Sequence, residues 1–175
     1  MKQIMETERL FLREMDVKDL PALCDILQDE QTMAAYEGAF TQEEALGWLN
    51  KQLDNYWRDG FGLWAVVLKE TGRMIGQCGL TRQMVREQEV IEVGYLFNRL
   101  FWHSGYALEA ANACKVYALR DLGIDEVFSL IRDSNYASMN VAIRNGMTVD
   151  GRFLKHYRGV DMPHYIFSTK KERCE

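Results

Sequence analysis

One long helical segment lies between two strand-like segments, and no other feature of the chain limits its fold as strongly. EVIEVGYLF (89–97) and EVFSLI (126–131) are patterned as strands, and WHSGYALEAANACKVYALRDLG (102–123) runs between them. A strand, a helix and a second strand of these lengths form a parallel crossover, which is right-handed in nearly all sheets. Any sheet built by this chain should therefore hold one parallel pair with the helix lying across it. Ala107, Ala110, Ala111, Cys114, Tyr117 and Ala118 share one face of that helix. The face is unusually small, so the helix can lie close to the sheet. Gly123 is placed to end it as a C-cap.

The remaining segments surround this unit. TERLFLR (7–13) alternates Leu10 and Leu12 against Arg9, Phe11 and Arg13 and reads as one strand. Asp16 is an N-cap for a helix whose buried stripe is Leu20, Leu23, Ile26 and Leu27. Thr41 and Glu44 form a capping box at the start of a second helix carrying Ala45, Trp48, Leu49, Leu53 and Tyr56. LWAVVL (63–68) and MIGQCGLTRQM (74–84) form a hairpin around Thr71-Gly72-Arg73. Gly94 inside the next strand signals a bulge or a close backbone approach. After 126–131, Ser134 or Asn135 caps a short helix that Gly146 closes, and MTVDGRFLKHY and HYIFS supply the last two strands. The order β-α-α-β-β-β-α-β-α-β-β predicts a mixed, mostly antiparallel sheet of the α/β (α+β) class, flanked by helices.

A chain of 175 residues with two prolines, no low-complexity linker and no internal repeat reads as one domain over 1–175. The net charge of -5 argues against a nucleic-acid groove as the main surface. It is compatible with a cationic substrate but is also ordinary for soluble proteins. Cys24, Cys78, Cys114 and Cys174 are scattered, which suggests neither a disulfide framework nor a zinc site and points to a reducing cytoplasm. His103, His156 and His164 have no metal spacing, so no metal is expected. The N-terminal stretch lacks a signal peptide's apolar core, and no run approaches the ~20 apolar residues of a membrane span.

The junction before the long helix, Trp102-His103-Ser104-Gly105-Tyr106-Ala107, has the form of an anion site. The first turn of a helix offers amides without helical partners, and its dipole adds partial positive charge. Gly105 and Ala107 leave room for a phosphate to reach them. These six residues alone equally describe an ordinary strand-to-helix turn. Neither G-x-x-x-x-G-K-[ST] nor G-x-G-x-x-G occurs, so a phosphate site here belongs to another class.

Taken together, these segments resemble the GNAT superfamily of N-acetyltransferases, and within it the RimJ/RimL-like branch. The resemblance runs through ETERLFLRE, TQEEALGWL, GFGLWAVVLKETGRMIGQCGL, IEVGYLF, WHSGYALEAA and SNYASMNVAIRNGM, nearly the whole chain. Their order and spacing carry it rather than any single motif. The superfamily's pyrophosphate loop, [QR]-x-x-G-x-[GA], reads here Trp102-x-x-Gly105-x-Ala107. The branch usually reads W-G-x-G-Y-A, and His103 stands at its first glycine.

The resemblance implies the GNAT acyl-CoA N-acyltransferase fold with splayed central strands. It also implies acetyl-CoA as co-substrate, with an amine acceptor that is either a protein N-terminus or a small molecule. Backbone of Tyr95, Leu96 and Phe97 and the side chain of Asn135 would contact the pantetheine. Residues His103, Ser104, Gly105, Tyr106 and Ala107 would hold the pyrophosphate. An alkylammonium with a pKa near ~10.4 must lose a proton before it attacks. Glu92 stands where many members keep a base, although a solvated strand residue would look the same. A backbone amide at Tyr95 or Leu96 could steady the oxyanion. Many members protonate the leaving thiolate with a Tyr seven residues after the Asn, but that position is Ala142 here. The branch instead offers a Ser three residues after the Asn, which is Ser138, with Tyr157 and Tyr136 as alternatives. Tyr36, Glu37 and Phe40 would border the acceptor on one side, and His156, Tyr157 and His164 on the other. A homodimer is compatible with the exposed strand edges. A catalytically impaired CoA-binding sensor, or an interaction domain that shares the fold, are the competing readings.

Overall fold

The computed structural model describes residues 2–171, so Cys174 lies outside the described residues. Eight strands form one sheet. They are β1 (Gln3–Glu6), β2 (Leu10–Arg13), β3 (Leu63–Leu68), β4 (Met74–Val85), β5 (Gln88–Phe97), β6 (Glu126–Arg132), β7 (Thr148–Tyr157) and β8 (Val160–Lys170). Their order across the sheet is β1-β2-β3-β4-β5-β6-β8-β7. Every neighbouring pair is antiparallel except β5 and β6, which the crossover makes parallel.

Four α-helices cover the two faces: α1 (Leu20–Leu27), α2 (Gln42–Asp59), α3 (Tyr106–Val116) and α4 (Tyr136–Arg144). Side chains alternate between the faces of a strand. In β3, Trp64 and Val66 therefore join α3 residues Ala110, Ala111 and Cys114 in one buried cluster. Ala65 and Val67 join Leu23, Ile26 and Leu49 of α1 and α2 in the other. That double burial explains why LWAVVL is apolar throughout. The small face of α3 makes close approach possible, and Cys114 Sγ lies 3.5 Å from Cys78 Sγ of β4. A π-helical turn, Tyr117–Asp121, extends α3, and Gly123 follows with φ +68°.

Both expected caps on the first two helical segments form. Asp16 and Asp19 cap the 3-10 turn Val17–Asp19 that leads into α1. The Thr41 amide donates to Glu44 Oε2 at 2.8 Å, and the Glu44 amide returns a bond to Thr41 Oγ1 at 3.2 Å.

Two expectations need correction. TERLFLR is not one strand. The Thr7 amide donates to the Leu10 carbonyl at 2.9 Å, so the chain turns there and a further strand, β1, pairs with β2. Gly94 makes no bulge, because the β4–β5 register runs without a shift from Gly76↔Phe97 to Val85↔Gln88. The glycines serve close packing instead. A Cβ on Gly94 would meet Leu63 Cδ2 at 3.3 Å, and one on its partner Gly79 would meet the Gly62 carbonyl oxygen at 2.0 Å.

Candidate active site

The parallel pair β5–β6 meets at a single bridge, Glu92↔Phe128, and then parts. Side chains take over where the ladder stops. The Leu130 amide donates to Glu92 Oε1 at 3.2 Å, and Ser129 Oγ donates to the Val93 carbonyl at 2.8 Å. These bonds satisfy backbone groups that would otherwise be buried without partners. Because the Val93 carbonyl faces β6, strand alternation turns the backbone of Tyr95 the same way, into the open wedge. The backbone of Leu96 turns toward β4, and its side chain lines the cleft. The Phe97 carbonyl accepts the indole N–H of Trp102 at 2.9 Å, which joins the end of β5 to the junction before α3.

A cavity of about 310 Å³ fills the wedge. It brings together Tyr36, Glu92, Tyr95, Leu96, Asn135, Ser138 and Tyr157 from four segments distant in sequence. Asn135 is the N-cap of α4 and accepts the Ser138 amide at 3.2 Å through Oδ1. Its amide nitrogen stays available to the cleft. The Tyr95 hydroxyl donates to the Ser138 carbonyl at 2.7 Å, so β5 and the first turn of α4 are tied together. Tyr36 and Tyr157 meet edge-on, with ring centroids 6.5 Å apart, and Tyr36 meets Trp48 at 6.1 Å.

Glu92 is the one carboxylate lining this cavity among the described residues. Burial pushes its pKa above the ordinary carboxylate value, opposed by Lys155 and by bonds from Leu130, Thr81 and Gln83. A carboxyl group shifted toward neutrality is a better proton acceptor when ionised. Burial, and then the charge of Glu92, push the Tyr36 hydroxyl well above its usual range. Burial also raises Tyr157, and both phenols are therefore neutral at ordinary pH. Burial lowers His164, whose Nδ1 lies 2.9 Å from the Met162 carbonyl.

The junction is shaped by two left-handed residues. Gly105 is the N-cap of α3 with φ +82°, and His103 has φ +61°. The second value explains why glycine suits that position, since a side chain there costs roughly 1–2 kcal/mol. His103 is exposed, so the backbone facing α3 stays open. Arg9 braces the loop. Its Nη1 donates to the Ser104 carbonyl at 2.9 Å, and its guanidinium lies 4.4 Å from the Tyr106 ring centre. Glu109, in the first turn of α3, in turn holds Arg9 through Nε at 2.7 Å, the Arg9 amide at 2.9 Å and the Thr7 hydroxyl at 2.6 Å. The β1–β2 turn thus anchors the junction.

Three residues expected at the acceptor side lie elsewhere. Phe40, just before α2, is a core residue packed on Trp48 among the apolar stripes of α1 and α2. Glu37 is held by Arg132 at 2.5 Å and does not line the cavity. His156 is exposed on the β7–β8 hairpin and pairs with Asp161 at 2.8 Å. Lys155, Thr81, Gln83, Arg132 and Trp48 line the cavity without having been singled out in the sequence. Strand alternation places Lys155 with Tyr157, but only the sheet order shows that this face meets β5 and β6.

This geometry has known counterparts. Residues 9–148 match the acetyltransferase (GNAT) domain family. The chain is 36% identical over 170 residues to the uncharacterized protein YkkB of Bacillus subtilis, covering 97% of this chain and 96% of that one. The crystal structure of a GNAT-family acetyltransferase from Bacillus anthracis superposes with a TM-score of 0.83 at 24% identity, covering 98% and 100% of the two chains. The structure of RimL, a ribosomal-protein alpha-N-acetyltransferase in complex with coenzyme A, superposes with a TM-score of 0.79 at 18% identity, covering 97% and 98%. The chain belongs to the acetyltransferase (GNAT) domain family and is an acetyltransferase. Among the described residues no helix is long and apolar enough to cross a membrane.

Proposed function

We propose that the chain transfers the acetyl group of acetyl-CoA to a primary amine by direct attack within a ternary complex. The observation that carries this reading is a half-buried carboxylate, Glu92, at the point where β5 and β6 part into a wedge lined by aromatic rings. The donor fits the residues present. Gly105 adds no Cβ at the α3 amides, the Tyr95 backbone is unpaired toward the wedge, and the Asn135 amide nitrogen is free to donate. In this reading the amides of 103–107 hold the pyrophosphate, and Tyr95 and Asn135 hold the pantetheine. Acetyl-CoA supplies an activated acetyl thioester.

The protein's own groups then manage protons. Glu92 accepts a proton from the incoming ammonium. The nitrogen bonds to the acetyl carbon as the carbon–sulfur bond breaks, with the Tyr95 amide donating to the carbonyl oxygen. Ser138 Oγ gives its proton to the departing sulfur and regains one from the nitrogen as the amide forms. Tyr157 lines the same cavity and is the second candidate for that donation. The free thiols Cys24, Cys78 and Cys114 favour action in the cytoplasm.

The test is release of CoA thiol from acetyl-CoA by the purified chain, with and without a panel of amines, and with the acetylated product identified by mass. Amine-dependent thiol release with a mass gain of one acetyl group is the expected result. Tight acetyl-CoA binding without turnover on any amine would favour a sensor.

A further inference from the structure

The charge of the cleft is opposite to that of the molecule. The chain carries a net charge of -5, yet the cavity is lined by Lys51, Arg132 and Lys155 against the single carboxylate of Glu92. These cations differ in availability. Arg132 is committed to Glu37 at 2.5 Å. Lys51 is exposed at the rim on α2. Lys155 projects from β7 on the same side as Tyr157, is half-buried, and makes no ion pair among the described residues. Its charge reaches both Glu92 and His164. Burial lowers the pKa of His164, the other basic group on this wall, so at neutral pH it contributes no charge.

A polyamine or aminoglycoside would bring several ammonium groups against Lys155 and Lys51 and find one carboxylate. Like-charge opposition of this kind rejects a ligand more effectively than missing contacts do. An acceptor with one amine and one anionic group meets complementary partners, with the amine at Glu92 and the anion at Lys155. Size sets a second limit only at the inner end of the cleft. The cavity of about 310 Å³ opens to solvent, and beside the end of the pantetheine arm at Asn135 and Ser138 it leaves room next to Glu92 for a head group of amino-acid size.

Resting on the acetyltransferase reading above, we infer that the acceptor is a small primary amine bearing a carboxylate or phosphate, with Lys155 as the residue that selects the anionic group. The shared chemistry has two sources, a free amino acid or a peptide whose first residues carry the acid.

The experiment compares matched acceptors at saturating acetyl-CoA: free amino acids and their carboxamides, C-terminally amidated dipeptides with aspartate or lysine in second place, and spermidine. The expected result is a kcat/KM at least tenfold higher for the acid of each pair, with spermidine poorest. The amino acid and dipeptide arms identify the source. Lys155→Met should raise KM for the anionic acceptor about tenfold and leave KM for its carboxamide unchanged, while any change in kcat through the Glu92 carboxylate is common to both acceptors. Lys155→Arg should restore the preference. Equal rates for acid and carboxamide, spermidine as the best acceptor, or a Lys155→Met effect on KM shared by both members of a pair would overturn the inference.

Calorimetric binding of the same compounds to the CoA complex separates this inference from the reading of function. Binding that depends on the carboxylate and on Lys155, without thiol release, would uphold the selectivity and overturn acetyl transfer. Brisk transfer to spermidine would do the reverse.

Discussion

The Glu92 carboxylate accepts the Leu130 amide at 3.2 Å, immediately past the single bridge that joins β5 to β6. That side chain ties the two strands together where they part, and in the proposed reaction it also faces the incoming amine. That dual role has a stability consequence. Burial raises the pKa of Glu92 above its unfolded value, so the fold favours the protonated form. The favourable contribution is complete below the unfolded pKa and is lost as pH rises through the folded one. Glu92→Gln keeps an acceptor for Leu130 without the charge. It should therefore raise Tm at pH 8 and leave Tm near pH 4 almost unchanged, as read by calorimetric melts. A lower Tm at pH 8 would mean that the ionised carboxylate stabilises the wedge.

The clasp around Glu109 gives a second prediction. Burial alone would raise its pKa, but the Thr7 hydroxyl, the Arg9 amide and the Arg9 guanidinium together pull it below the usual value. Such a group stabilises the fold above its unfolded pKa and loses that contribution as pH falls through the folded one. Glu109→Ala should cost about 2 kcal/mol at pH 7 and less at pH 3, by denaturant unfolding. It should also weaken acetyl-CoA binding, because Arg9 would no longer brace Ser104. Unchanged acetyl-CoA affinity in a folded variant would show that the junction holds its shape unaided.

At the junction, conformation is expected to matter more than side-chain chemistry. Gly105→Ala puts a Cβ at φ +82°, 3.4 Å from Arg9 Nη2, and beside the amides of α3. We expect a loss of roughly 1–2 kcal/mol in stability and at least tenfold in acetyl-CoA affinity. His103→Gly should leave affinity within about threefold of wild type, since relief of the left-handed strain and the added freedom of glycine nearly cancel. Calorimetric titration measures both. A large loss with His103→Gly would assign the imidazole a direct contact.

Ser138→Ala should lower kcat by roughly 10²-fold while leaving acetyl-CoA affinity intact, the mark of a proton donor rather than a binding group. Tyr157→Phe should change kcat by less than about threefold. If the two effects are exchanged in pre-steady-state measurements, Tyr157 is the donor.

Local chemistry was legible in the sequence and distant chemistry was not. The Thr41–Glu44 box, the small face of α3 and a cap at Ser134 or Asn135, which proves to be Asn135, are written in neighbouring residues, and each depends on contacts within one helix or with an adjoining strand. The Thr7–Leu10 turn closes through its own backbone and the Thr7 hydroxyl, but the alternation of TERLFLR reads equally as one strand, and Glu109, which clasps the turn, lies about a hundred positions away. Phe40 looked like a loop aromatic because nothing local shows that Trp48 and the α1 stripe would bury it. The hardest feature to read was the opposing wall of the cleft. Alternation groups Lys155 with Tyr157, but the inversion β6-β8-β7 at the sheet edge decides that they confront Glu92. The resemblance pointed to Tyr157 and His164 on this wall of the cleft, whereas Lys155 was recoverable only from topology.

The most direct test of the account is the pH dependence of kcat/KM for acetyl transfer in wild type and Glu92→Gln. Wild type is expected to lose activity on an acidic limb set by a group titrating above the usual carboxylate range. Glu92→Gln should lose that limb and about 10²–10⁴-fold of the rate. A variant that retains both the limb and the full rate would contradict it and place the base elsewhere in the cleft.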